Sequence, residues 1–216
     1  MAHIHLEDGS FTLTWVLVWW ILALAITGVA IWILRAKNKP DSRTISIAAF
    51  LTAAAFAIFQ ISIPLFGGVH MNLTPLIGIL AGPVIGAIIV FIVNILSAAI
   101  GHGGWGLIGA NVVINFSEVL MAYFTWQMLG KLTRNLFYRA GIATFSGLFV
   151  GNLVMIAVVL ISGIQGTVQT VFQTAAGLSL LAAVNMGVAV IEAVITGLIV
   201  GYIGRVRPDI LGLKRQ

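Results

Sequence analysis

An all-α polytopic membrane protein, a bundle of about seven transmembrane helices with one of them short or re-entrant, is the fold this sequence predicts. Three observations predict it. The chain is 60% hydrophobic and only 8% charged, with a mean hydropathy of +1.11, whereas a soluble domain carries roughly 25% charged residues. Its apolar residues come in runs long enough to cross a bilayer core of about 30 Å. Its eleven Lys and Arg gather in three places only, residues 35–43, 131–139 and 205–215.

Residues 11–34 make the first span, with Trp15, Trp19, Trp20 and Trp32 along it. A basic turn over 35–43 leads to a second span over 44–66. Gly67-Gly68-Val69-His70 reads as a tight loop. Residues 72–81 are apolar but reach only about 15 Å before Gly82-Pro83 breaks them. That is half a bilayer core, and such a leg is tolerated only where neighbouring protein covers its broken backbone. Residues 84–100 follow, then the Gly-rich loop Gly101-His102-Gly103-Gly104-Trp105-Gly106. Residues 107–130, 140–162 and 178–203 are the remaining spans, with a polar Gln/Thr loop over 163–177. Gly78, Gly82 and Gly86, and the pairs Gly147/Gly151 and Gly197/Gly201, have the small-xxx-small spacing that lets helices approach closely in lipid.

Charge sets the expected orientation. Cytoplasmic chain segments carry the excess of Lys and Arg. With all three basic clusters inside, the N-terminus is outside and the C-terminus inside. His3, His5, His70 and His102, the only histidines, then share the outer side. This requires two membrane legs between His70 and His102, because a single pass would move Lys131, Arg134 and Arg139 outside.

Composition also excludes. The net charge of +5 is spread over short loops with no basic groove-lining element, so no nucleic acid is expected. Cysteine is absent, which removes disulfides, thiolate metal sites and thiol catalysis. No cleavable signal peptide is expected, since acids and histidines precede the first apolar run. The 101–106 loop lacks a following Gly-Lys-(Ser/Thr), so it is not a phosphate loop.

Glu118 and Glu192 fall mid-span, where acids are costly and point to function by default. Asn111, Asn115 and Glu118 share one helical face, as do Asn185 and Glu192, and Asn94 and Ser97 add a third polar strip. Either they line a hydrophilic path, or a second shell, beneath an outward-facing site, or they form a protonated interhelical hydrogen-bond network. The lack of a basic partner within the spans favours the network.

The histidines point to a metal, since neutral imidazole is the commonest ligand for borderline transition metals. Interfacial histidines that merely cap helix ends are the plainer alternative. Loss of Met1 would leave Ala2-His3, whose amine, amide nitrogen and imidazole can chelate one ion in fused five- and six-membered rings. One further imidazole would complete four nitrogens in a plane, a geometry for Ni(II) or Cu(II). With Met1 retained, Met1-Ala2-His3 offers four nitrogens by itself.

His5-Leu-Glu-Asp8-Gly9 resembles the N-terminal His-Ile-x-(Glu/Asp)-Gly motif of the CbiM/NikM family. These are the substrate-specific (S) membrane components of energy-coupling-factor (ECF) transporters for cobalt and nickel. Val69-His70, Leu80-Ala-Gly-Pro83, Gly101-His-Gly-Gly104 and Gly109-Ala-Asn111 look like the family's central block. Glu192-Ala-Val-Ile-Thr196 and Arg207-Pro-Asp-Ile-Leu211 resemble its C-terminal block. The likeness covers nearly the whole chain in order.

The resemblance implies one membrane domain over 1–216 in the cell membrane. Within it, 1–10 is a metal-binding N-terminal segment that plugs back into the bundle, 11–35 an extra N-terminal helix and 44–204 a six-helix core. It implies ligands from Ala2, His3, His5 and His70, with His102 an additional ligand or a loop residue, since the family often has Asp there. His5 matches the motif by context and His3 by distance from a processed terminus, so either chelates. The implied function is a metal-binding subunit of an ABC-type importer for Ni²⁺ or Co²⁺, serving nickel enzymes or cobalamin biosynthesis. Its implied partners are ATPase subunits, a transmembrane coupling subunit and a small CbiN/NikN-like accessory subunit. An intramembrane metalloenzyme and a passive metal channel are the alternatives. The first lacks a His-Glu-x-x-His helix, and the second conflicts with a tight chelate.

Overall fold

The computed structural model describes residues 8–36, 40–60, 62–63, 69–166 and 170–212. Its long elements are α1 (Leu13–Ala36), α2 (Ser42–Phe59), α3 (Thr74–Ala99), α4 (Ile108–Leu129), α5 (Leu136–Ser162) and α6 (Val171–Val206). Two-residue strands β1 (Ser62–Ile63) and β2 (Val69–His70) pair antiparallel between α2 and α3. Single 3₁₀ turns occupy Trp105–Leu107 and Pro208–Leu211.

Six helices among the described residues are long and apolar enough to cross a membrane. The expected seventh transmembrane helix is not among them. Its residues are the first limb of α3, which Gly82 (φ 71°, ψ 179°) and Pro83 interrupt. Only glycine adopts that φ readily, and Pro83 cannot donate to the preceding turn. Gly86 packs against Ile77, a Cβ at Gly86 falling 3.4 Å from Ile77 Cγ2. Nine residues along a straight helix would separate them by about 13.5 Å. The two limbs of α3 therefore lie side by side, and residues 74–81 reach only about 12 Å, too short to span. The non-helical residues Met71–Leu73 precede the first limb, and Asn72 and Leu73 are buried.

Close backbone approach holds the limbs to α4. A Cβ at Gly78 would lie 2.5 Å from the Val119 carbonyl oxygen, and one at Gly86 2.7 Å from Val119 Cγ1. The expected small-residue contacts thus fall on α4 for Gly78 and Gly86, while Gly82 makes the bend. A Cβ at Gly147 would fall 2.9 Å from the Glu118 carbonyl oxygen, one at Gly151 would run into the Glu118 side chain, and one at Gly197 would fall 2.8 Å from Phe137 Cδ2. A Cβ at Gly201 would meet nothing within 4 Å.

α4 is the most enclosed helix and packs against α1, α3 and α5. α6 packs on α5, and α2 on α3. α1 turns one stripe inward, Trp19, Ala23, Thr27 and Ala30, at helical spacing. Gly109 leaves room for the α1 backbone at Trp19 and Trp20.

Three boundaries differ from expectation. α6 begins at Val171 rather than 178, because Thr170 and Gln173 form a reciprocal capping box. α5 begins at Leu136, where Asn135 Oδ1 accepts from Phe137 N at 3.0 Å, so half of the expected basic loop is helix. α2 ends at Phe59, short of the expected residue 66, and Ser62–Ile63 already belongs to the strand pair.

Candidate metal centre

Three pieces of irregular chain meet where α2, α3 and α4 end or begin. The first carries His70. β2 pairs with β1 in the register Ser62↔His70, which leads the chain back toward α3 with His70 at the strand's inner end. His70 is 9% exposed.

The second piece carries His102. α3 ends as Gly101 N donates to Ala98 O at 3.0 Å and His102 N to Ser97 O at 2.9 Å. Gly101 (φ 80°) makes the left-handed turn such an end needs. The His102 ring stands perpendicular to His70, with centroids 4.4 Å apart. Phe59, the last residue of α2, lies 5.0 Å from His102 edge-on and 6.2 Å from His70 in a stack. Burial pushes the His102 imidazole below the usual histidine range, and the neighbouring His70 pushes it the same way. Neutral imidazole is the form that ligates a metal.

The third piece is the start of the described chain. The Asp8 carboxylate accepts from Gly106 N at 2.8 Å and Trp105 N at 3.2 Å. These are free donors at the head of the turn that leads into α4, where a carboxylate is favoured. Gly104 packs directly on that carboxylate and has no room for a side chain. Two residues on, Ser10 O accepts from Gln165 N at 2.8 Å, and Trp19 Nε1 donates to Ser162 Oγ at 2.8 Å. The chain is thus fastened to the His102 loop and to the α5–α6 connection just after the segment expected to bind metal.

Of the residues expected to form the site, the structure brings His70 and His102 together. Ala2, His3 and His5 lie outside the described residues. Among the described residues no three His, Cys, Asp or Glu converge as a metal cluster. The described site is a pair of imidazoles, and two nitrogens fall short of the four of a square plane.

Beneath the pair lies the polar interior. Asn72 N donates to Glu192 Oε1 at 2.9 Å, and Asn72 Nδ2 to Glu118 Oε2 at 2.9 Å. Thr74 Oγ1 contacts both Glu118 Oε2 and Asn72 Oδ1. Asn185 Nδ2 donates to Asn152 Oδ1 at 3.0 Å, joining α6 to α5, and Gln60 reaches Ser97 at 3.3 Å. Glu118 and Glu192 therefore belong to an interhelical hydrogen-bond network. Asn94 departs from this, donating to Val90 O of its own helix at 2.9 Å. The sequence reading missed Phe59, Asn72 and Asp8 as parts of the site. Asp8 had a signal, the acidic position of the N-terminal motif, and Asn72 lies only two residues from His70.

Fold and site together define a class: a multi-pass membrane protein with an imidazole pair at one mouth of its bundle. The chain matches the family described as cobalt uptake substrate-specific transmembrane region over residues 5–210, and it belongs to that CbiM family. The cobalt transport protein CbiM of Thermosipho melanesiensis is 28% identical over 210 residues, covering 92% of this chain and 86% of that one. The CbiM of Sorangium cellulosum is 26% identical, covering 96% and 94%. A protein of Archaeoglobus fulgidus named as a fused nickel transport protein, NikMN, is 26% identical, covering 97% of this chain and 68% of its own length. A solved transition metal transporter superposes with a TM-score of 0.80 at 19% identity, covering 94% of this chain and 93% of that structure. At that identity the likeness is one of fold.

Proposed function

We propose that this protein is the metal-binding membrane subunit of an ECF-type importer for Ni²⁺ or Co²⁺ in the cell membrane. One observation carries the reading: Asp8 ties the N-terminal segment to the same loop that sets His102 against His70. Seven residues precede Asp8, and extended chain reaches about 3.3–3.6 Å per residue, ample to return to the imidazole pair. In the proposed site the terminal amine, an amide nitrogen and the imidazole of His3 or His5 join His70, with His102 beside them. Residues 1–10 are then the metal-binding segment, 11–35 the extra helix and 44–204 the core.

Transport needs partners, since the chain carries no phosphate loop. The proposed partners are ATPase subunits, a transmembrane coupling subunit and a small CbiN/NikN-like subunit. Membrane vesicles containing all of them should accumulate Ni²⁺ or Co²⁺ only with ATP. Uptake driven by the ion gradient alone would establish a channel instead.

The proposed orientation has the N-terminus outside, supported by the one-sided Lys and Arg distribution. A cysteine at Gly9 or Gln165 should react with an impermeant thiol reagent in intact cells, and one at Asn38 or Arg215 only after permeabilisation. Reaction of position 9 only in opened cells would overturn both the orientation and the shared outer site.

A further inference from the structure

We infer that Asn72 is a positioning residue for His70, held by two buried membrane carboxylates whose task is to accept its donors. The inference rests on the proposed role of His70 as a ligand. Residues Met71–Leu73 are neither helix nor strand, yet Asn72 is 3% exposed and Leu73 5%. Irregular backbone at such depth needs partners for its polar groups, since neither water nor lipid supplies them. Asn72 obtains them in three directions. Its backbone N–H donates to Glu192 Oε1 of α6 at 2.9 Å. Its side-chain Nδ2 donates to Glu118 Oε2 of α4 at 2.9 Å. Its Oδ1 accepts from Thr74 N, at the head of α3, at 2.8 Å.

This explains two acids where acids are costly. Glu118 is 0% and Glu192 2% exposed. A carboxyl group offers two acceptor oxygens, charged or not, and a buried N–H left without an acceptor is costly. The bonds fix the peptide two residues from His70 against helices that pack on the rest of the bundle. They thereby set where the His70 ring meets His102. Groups that orient a metal ligand typically govern 10–100-fold in affinity, because ligand geometry tolerates only about 0.5 Å of error.

The test uses the full-length protein in detergent, titrated with Ni(II), reading affinity and the visible absorption band, with apo-protein thermal unfolding alongside. Asn72→Ala should weaken binding about 10–100-fold and shift the band, while the protein stays folded. Glu192→Gln keeps an oxygen that accepts the Asn72 N–H, so it should retain wild-type affinity and band, whereas Glu192→Leu should lose both. Asn72→Ala with unchanged affinity and band would overturn the inference. So would Glu192→Gln as damaging as Glu192→Leu, which would assign the carboxylate charge to the ion itself. If Asn72→Ala does not fold, the Glu192 pair decides alone. His70→Ala in the same series separates the two claims: unchanged binding there overturns the ligand role of His70, whatever Asn72 does.

Discussion

Blocking the terminal amine, or lengthening the chain by a few residues before it, abolishes stoichiometric Ni(II) or Co(II) binding with every histidine intact. Side-chain sites are indifferent to whether the first amine is free. The proposed chelate is not, because amine and amide nitrogens are ligands alongside the imidazoles. In the proposed chelate His70, with His102 beside it, is joined by nitrogens of the segment that precedes Asp8. The loss should exceed the roughly 10–100-fold that changes outside the ligand shell cost. His3→Ala is equally damaging if the processed Ala2-His3 pair chelates, and His5→Ala is the worse change if the motif histidine does. Ligand nitrogens bind metal only when deprotonated, so affinity is present above the histidine range near 6.5 and falls as pH drops through it. His102, held below the usual histidine range by burial, stays neutral to lower pH than a free imidazole. An extended variant that binds Ni(II) with the same visible band would leave only imidazoles and carboxylates as ligands.

His70→Ala is the second large loss, again stoichiometric binding, with the apo protein still folded. The ring is buried and stands 4.4 Å from His102, at the centre of the proposed site. Folding survives because the path of the chain depends on Asn72, Leu73 and the α3–α4 contacts rather than on the imidazole. His102→Ala should cost much less. Equal Ni(II) affinity and stoichiometry in His70→Ala and wild type would remove His70 from the site. If His102→Ala proves as damaging as His70→Ala, both imidazoles are ligands.

Which parts of this were legible in the sequence follows from their range. The spans were, because a lipid-crossing helix declares itself through a run of apolar residues whatever it packs against. The break at Gly82-Pro83 and the shortness of the leg before it were legible from two residues and a length. Boundaries set by caps were misjudged, as at Thr170 and Gln173, where a polar stretch reads as loop until its reciprocal hydrogen bonds are seen. Glu118 and Glu192 were recognisable as buried and unlike their surroundings. Their common partner was not, since Asn72 is 46 residues from one and 120 from the other.

The sequence by itself determined that this is a multi-pass, cysteine-free membrane protein of the CbiM family whose only imidazoles are His3, His5, His70 and His102. Those properties reside in composition, run length and local motif, which need no long-range contact. The tertiary structure decided that α3 doubles back as one element, that His70 and His102 meet beside Phe59, that Asp8 grips the loop between α3 and α4, and that two membrane acids converge on Asn72. Each depends on groups far apart along the chain being brought within hydrogen-bonding or van der Waals distance. Helix packing sets that distance: Gly78, Gly86, Gly147 and Gly151 let α3 and α5 close on α4 and bring the polar groups between them within hydrogen-bonding distance.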